Sequence, residues 1–399
     1  METKRTQKWV CLVVGAVMMM LLGLIYAWSN FVRPLEQEFG WLRSQTSLTF
    51  TVSIIFFVLG LNASAKISRA KSTRVTMLVA ALSMMAGFVL SSLVKSPVQL
   101  YITYGVLVGF GVGACYNTIL PVVAQWFPGQ RSTISGILLM GFGMGGLILG
   151  PTLVATMGAV GWKQTFVILG VVFAVMTVLA SLVIVAPKQA VASASVQTIS
   201  GKNDFATPEM IRQPSFWITM LWFTAICSGG LMVISNGSPY AQSLGLNAAT
   251  AAIAVGVINF CNGLGRVLSG MICDKTGIRV SLLMNTCFLV AASVMLTLTV
   301  TNAVLPLLIV AYALSGLSYG GIPTTIASLA ADHYGQKNFA SNYALLSAGL
   351  IPGSLVGPAL SGMLLERTGG YRVPFFFMLV LGVLGLLLVW LIRKPGKTQ

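Results

Sequence analysis

In the second half of the chain the stretch INFCNGLGRVLSG sets Arg266 inside a run of apolar and small residues. Asn259, Asn262, Gly263, Arg266 and Gly270 recur at i, i+3, i+4, i+7 and i+11, which is the spacing of one helical face. Arg266 stands eight residues before Asp274, about 12 Å along a helix, too deep for its head to reach the polar end by extension. An ionised group at that depth costs about 3 kcal/mol on insertion scales, so this polar face should line a watery path. The acids are Glu2, Glu36, Glu38, Asp204, Glu209, Asp274, Asp332 and Glu366, all near loops or ends of apolar runs. A cation in a cavity without an internal acid calls for an anionic ligand. A guanidinium suits a carboxylate because it donates two parallel hydrogen bonds. The competing reading is an arginine held by backbone carbonyls or helix C-termini as a structural pin.

Catalysis finds no support among the other reactive side chains. There is no nucleophile paired with a base, no metal cluster and no phosphate loop. His333, the single histidine, lacks catalytic partners and reads as a helix-end residue. The cysteines (Cys11, Cys115, Cys227, Cys261, Cys273, Cys287) lie in or beside apolar segments without CxxC pairs, so neither a disulfide framework nor a zinc site is expected. No cofactor is implied. The glycines at 105, 109, 111, 113, 136, 141, 143, 145, 146 and 150 follow no strand, which excludes a nucleotide loop and leaves close helix packing, with Pro151 as a break.

The elements that must position Arg266 are membrane helices. Of 399 residues 56% are hydrophobic and 8% charged, and the mean hydropathy is +0.88, against roughly a quarter charged in soluble domains. This composition describes a polytopic membrane protein embedded in a lipid bilayer. Apolar runs long enough to cross about 30 Å of hydrocarbon fall near 9–31, 45–66, 73–94, 98–126, 132–157 and 164–186, then 214–236, 247–272, 280–301, 304–331, 339–364 and 372–392. The first lacks a cleavage site and reads as a retained helix.

The expected architecture is therefore all-α, with twelve transmembrane helices in two pseudo-symmetric six-helix halves. Residues 1–186 form the first half, 187–213 a Ser-, Ala- and Gln-rich cytoplasmic linker, and 214–399 the second half. Weak repeats about 205 to 209 residues apart support duplication: Gly161 to Phe166 against Gly370 to Phe375, Gly150-Pro151 against Gly357-Pro358, and Pro34 to Gly40 against Pro239 to Gly245. With both termini cytoplasmic, 17 of the 24 basic residues fall on the inner side, six (Arg33, Arg43, Lys95, Lys163, Arg367, Arg372) on the outer, and Arg266 between. Topology thus explains a net charge of +16 that would suggest nucleic acid in a soluble chain, and no nucleic-acid partner is expected.

Gly270-Met-Ile-Cys-Asp274-Lys275-Thr-Gly277-Ile-Arg279 joins the second and third helices of the second half and resembles the loop signature of the major facilitator superfamily, G-x-x-x-D-[RK]-x-G-x-[RK]. Its logic is a tight turn at Gly277 with a carboxylate able to reach a neighbouring helix end or basic residue and lock one conformation. The equivalent Gly60 to Arg74 stretch keeps basic residues but has no acid, so the latch is not symmetric.

Tyr26-Ala-Trp28-Ser29, Gly109-Phe-Gly111-Val-Gly113-Ala-Cys-Tyr116, Trp126 to Arg131, Arg212-Gln-Pro214-Ser-Phe216-Trp217, Ser238 to Gly245 and Asn262-Gly-Leu-Gly-Arg266 together resemble the oxalate:formate antiporter family, related to the monocarboxylate porters. The resemblance implies a transporter whose substrate site includes Arg266, Tyr26, Tyr116, Asn117, Asn262 and Tyr319, the tyrosines bringing a hydroxyl and an apolar wall. Phe142 stands where the oxalate carriers have a tyrosine, and Leu350 where they have a second cation. The bulky tryptophans they carry are missing near Ser315 and Ser347. One cation against two carboxylates leaves a charge unpaired, which favours a monocarboxylate such as lactate, pyruvate or formate over oxalate. Proton-coupled relatives place an aspartate four residues before the arginine, where this chain has Asn262.

The expectation is alternating access in the cell's inner (plasma) membrane, with Arg266 holding the carboxylate between halves that rock about it and a co-transported proton or exchanged anion left open. The alternatives are an oxalate:formate-type exchanger, and a membrane sensor or exporter of cationic drugs. The last two lack, respectively, a signalling domain and an intramembrane acid.

Overall fold

The computed structural model describes residues 2–127, 131–185, 204–302, 304–335 and 338–395. Residues 187–203 of the expected linker, with Lys188 and Lys202, and also Pro128, Gly129, Gln130, Lys337 and Lys397, lie outside the described residues. The described chain is helical. It runs α1 (Glu2–Leu22), a 3₁₀ turn (Gly23–Ala27), α2 (Ser29–Phe39), α3 (Arg43–Ala70), α4 (Thr73–Ser91), α5 (Pro97–Leu100), a π-helical stretch (Tyr101–Val108), α6 (Gly109–Gln125) and α7 (Arg131–Val183). Then come α8 (Thr207–Ile211), α9 (Pro214–Ser243), α10 (Ala248–Thr276), α11 (Ile278–Thr301), α12 (Leu305–Tyr334), α13 (Phe339–Ser347), α14 (Leu350–Ser354), a second π-helical stretch (Leu355–Ala359), α15 (Leu360–Thr368) and α16 (Arg372–Leu391).

Among the described residues, eleven helical runs are long and apolar enough to cross a membrane. One of them, Ile134–Val183, has 50 residues, or about 75 Å of helix, which is length for two crossings of about 30 Å. It breaks at Gly161 (φ 80°, ψ 164°), a backbone conformation that a β-carbon would oppose. The fifth and sixth expected spans are these two arms. Strongly exposed Leu82, Leu93, Leu387 and Trp390 face outward, as a lipid-surrounded helix requires.

By packing, the chain forms two compact units, Met1–Ala194 with Ile234–Phe260, and Ser195–Val233 with Cys261–Gln399. In the first, α6 and the π-helical stretch lie on α3 along Gly105, Gly109 and Gly113. A β-carbon on Gly109 or Gly113 would strike the backbone of Ser53 or Phe57, so the glycines exist to let two helices touch. Gly23 and Gly145 make the same kind of seam between the start of the chain and α7, against the carbonyls of Phe142 and Met20. An aromatic core fills the space beyond: Trp28 packs tilted against Tyr104 at 4.4 Å and Phe31 stacks on Phe166 at 4.4 Å, while the Trp28 indole donates to the Thr46 carbonyl.

In the second unit, buried hydroxyls and amides fasten α10, α11 and α12. Ser269 donates to Asn285 Oδ1, Asn285 Nδ2 donates to Thr325 Oγ1, and Ser318 donates to the Asn285 carbonyl. Residues 204–213, the last part of the expected linker, are packed: Phe205 and Met210 are buried, and the Phe205 carbonyl accepts from Asn338 and Asn342.

Candidate functional site: a buried arginine beside an open amide

The second unit carries Asn262 and Arg266 one turn apart on α10. Asn262 is 1% exposed and Arg266 9%. Neither polar atom of the Asn262 amide has a hydrogen-bond partner among the described residues. Buried amides are normally satisfied, because leaving one open costs about 1–3 kcal/mol. An open amide here therefore marks a place where a ligand or water is expected. Helical Cα–Cβ bonds tilt toward the N-terminus, which leans the long Arg266 side chain back toward Asn262. The backbone beside them is tightly held, since Gly320 of α12 rests on the Asn262 carbonyl and Gly265 on the Leu317 carbonyl. Tyr319 is buried on α12 with its ring base against Gly230 of α9, and Ser315, one turn earlier, has a buried hydroxyl without a partner among the described residues.

The first unit gathers the aromatic candidates. Tyr26 sits in the 3₁₀ turn and meets Phe142 edge-on at 5.4 Å, Tyr116 meets the same ring at 5.1 Å, and Phe57 meets Tyr116 at 5.5 Å. Phe142 is therefore the hub of a wall bearing two tyrosine hydroxyls. Asn117 is occupied differently: its Nδ2 donates to the Leu61 carbonyl at 2.8 Å and to Ser64 Oγ at 3.0 Å, fastening α6 to α3. On α10, Asn259 is fully buried with both amide atoms unpartnered among the described residues, and it lies against Gly146, where any side chain would collide with it.

At the other end of α10 the signature turn forms as its glycine predicts. Gly277 has φ 97° and its N–H donates to the Ile272 carbonyl at 3.1 Å, closing α10 and starting α11. Asp274 and Lys275 are exposed, and Arg279 lies over the Trp390 ring at 4.5 Å. No ion pair of Asp274 occurs among the described residues. This turn adjoins a cavity of about 690 Å³ lined by Asp274, Arg279, Ser328, Asp332 and His333. His333 is buried, and neighbouring Asp332 pairs with Lys394 at 2.7 Å. No set of His, Cys, Asp or Glu residues suited to a metal occurs among the described residues.

Two ion-paired clusters were not read from the sequence: one closes the α2–α3 turn over seven residues, and the other joins residues 125 apart. Glu36 of α2 takes Arg43 through two bonds of 2.6 and 2.7 Å and also accepts from Thr46. Glu38 takes Lys163 at 2.6 Å and the Trp162 indole N–H. The Lys163 ammonium first, and the indole second, hold the Glu38 carboxyl below its ordinary value.

A family model described as the Major Facilitator Superfamily matches residues 11–334 and 284–399. The chain belongs to the major facilitator superfamily. This membrane transporter is 28% identical over 361 residues to the oxalate:formate antiporter of Oxalobacter formigenes, covering 89% of this chain and 85% of that one. It is 24% identical over 391 residues to monocarboxylate transporter 2 of Homo sapiens, covering 92% and 82%. A bacterial homolog of the human lysosomal transporter Spinster, solved inward-facing and unoccupied, shares the fold at a TM-score of 0.72 and 16% identity, over 97% of this chain and 96% of that one.

Proposed function

We propose that this transporter carries a small monocarboxylate of the lactate, pyruvate or formate kind by alternating access, with Arg266 holding the carboxylate. The observation that carries the reading is the pairing on one helix face of a buried guanidinium and, one turn away, a buried amide with unused donor and acceptor. Asn262 would then bind the second oxygen of the substrate. Tyr26 and Tyr116 around Phe142, together with Tyr319, would supply hydroxyls and an apolar wall for a short carbon body. Asn117 would act through the α3–α6 contact. The halves 1–186 and 214–399, joined by 187–213, would rock about the anion with both termini in the cytoplasm of the cell's inner membrane. The signature residues Gly270, Asp274, Lys275, Gly277 and Arg279 would latch one state.

Exchange of oxalate for formate is the second reading, favoured by the 28% identity to an oxalate:formate antiporter. Against it, Leu350 offers no second cation, and a lone guanidinium leaves one carboxylate of a dianion unpaired in low dielectric.

Counterflow in proteoliposomes loaded with lactate, pyruvate, formate or oxalate separates the two. Arg266→Gln, inserted in the same amount, should lose uptake of the monocarboxylates on the order of 100-fold, the worth of a bidentate charged contact. Normal rate and affinity in that variant would sink the proposal.

A further inference from the structure

Arg33 and Arg43 make parallel contacts to α9 within the first unit. Arg43 Nη1 donates to Asn236 Oδ1 at 3.4 Å, and Arg33 Nη1 donates to Gln242 Oε1 at 3.2 Å. Their charges are handled differently. Arg43 is neutralised by its own carboxylate, Glu36, in a two-bond pair that is mostly buried. Departure of Asn236 would cost it one hydrogen bond and leave no bare cation. Arg33 is half-buried, and its hydrogen-bond partner is a neutral amide. Both carboxylates of α2 are engaged elsewhere, Glu36 with Arg43 and Thr46, Glu38 with Lys163 and Trp162. Among the described residues no acid lies within ion-pair distance of Arg33.

We infer that Arg33 is a carboxylate-capture residue, for which an arriving anion competes with Gln242. A guanidinium bonded once to a neutral amide gains by exchanging it for a carboxylate, since the anion adds Coulomb attraction and takes two parallel bonds. Arg33 follows Tyr26 by seven residues, about 10 Å of helix, toward the end that the basic-residue bias marks as outer. Binding there also releases the α2–α9 contact, so the same anion that is caught loosens the contact that bars it. This rests on the reading that the cargo is a carboxylate.

The test is uptake of radiolabelled lactate and of oxalate into proteoliposomes by wild type, Arg33→Gln, Arg33→Lys and Gln242→Ala. Arg33→Gln should raise KM about tenfold with kcat within about twofold. Arg33→Lys should recover most of the loss, and Gln242→Ala, which removes the competitor, should lower KM. Added salt should raise KM for wild type and not for Arg33→Gln. A purely structural lock would move Arg33→Gln and Gln242→Ala in the same direction. That outcome, or an unchanged KM in Arg33→Gln, overturns the inference while leaving the carboxylate reading intact. Wild type carrying neither anion overturns both.

Discussion

On the proposed reading, an amide at position 262, where a carboxylate would fit equally well, would determine what the Arg266 guanidinium can accept. The two residues lie one turn apart and both are buried, so an acid at 262 would pair with the arginine, as opposite charges at this spacing do. It would then compete with any anionic substrate. Asn262→Asp should therefore lose carboxylate transport, because a carboxylate paired with the guanidinium takes the bonds the substrate needs, whereas Asn262→Gln, which keeps a neutral amide, should retain part of it. Uptake of lactate by the two variants, inserted in equal amount, measures the difference, and equal loss in both would count against contact between the two side chains. Arg266 was legible in the sequence because one charge in a long apolar run needs no partner to be noticed. The contact by which Asn117 fastens α6 to α3 was not, since its bonds go to Leu61 and Ser64, which lie 56 and 53 residues earlier and carry no sign of that pairing. Phe142 was noted as a departure from a tyrosine, but its place as hub of the Tyr26 and Tyr116 rings depends on how α7 approaches the 3₁₀ turn.

At the scale of elements, the apolar runs were readable and their interruptions were not. Hydropathy locates α3, α4 and α10 to α12 within a few residues, because length and composition alone define a span. It does not show that the first span passes through a 3₁₀ turn at Tyr26, or that Leu355–Ala359 is π-helical around Pro358. Those features arise where glycine and proline meet tertiary packing. The short helix α8 was missed because a polar, Ser-rich neighbourhood hides the two residues, Phe205 and Met210, that bury it. The break in α7 is itself fastened to α2 through Glu38, Lys163 and Trp162. Since Glu38 is held below its ordinary carboxylate value, its contribution is full above that ordinary value. It fades as the pH falls through the lowered one. Half-exposed ion pairs are weak, so the effect should be a small, acid-specific loss of melting temperature. Between pH 6 and 3, a range of about three units spanning carboxylate titration, wild type should converge on Glu38→Gln. Parallel melting curves for the two proteins would remove Glu38 as a pH-dependent fastener.

For the whole molecule, the distribution of charge predicts an orientation that the fold alone leaves symmetric. The end of α3, the connection to α4 and the start of α4 together hold Lys66, Arg69, Lys71 and Arg74, whereas the α4–α5 connection holds only Lys95. Between them α4 has 19 residues, about 28 Å of helix, close to one hydrocarbon thickness. The two connections must then lie on opposite faces of the bilayer, and short loops rich in Lys and Arg stay in the cytoplasm. Lys71 and Lys95 are both exposed, so cysteines placed there report on sidedness. In a background without the six native cysteines, Lys95→Cys in intact cells should react with a membrane-impermeant maleimide, and Lys71→Cys should react only after permeabilisation. The reverse pattern would invert the molecule. The α2 end carrying Arg33 would then face the cytoplasm, and the anion it is inferred to capture would be one leaving the cell.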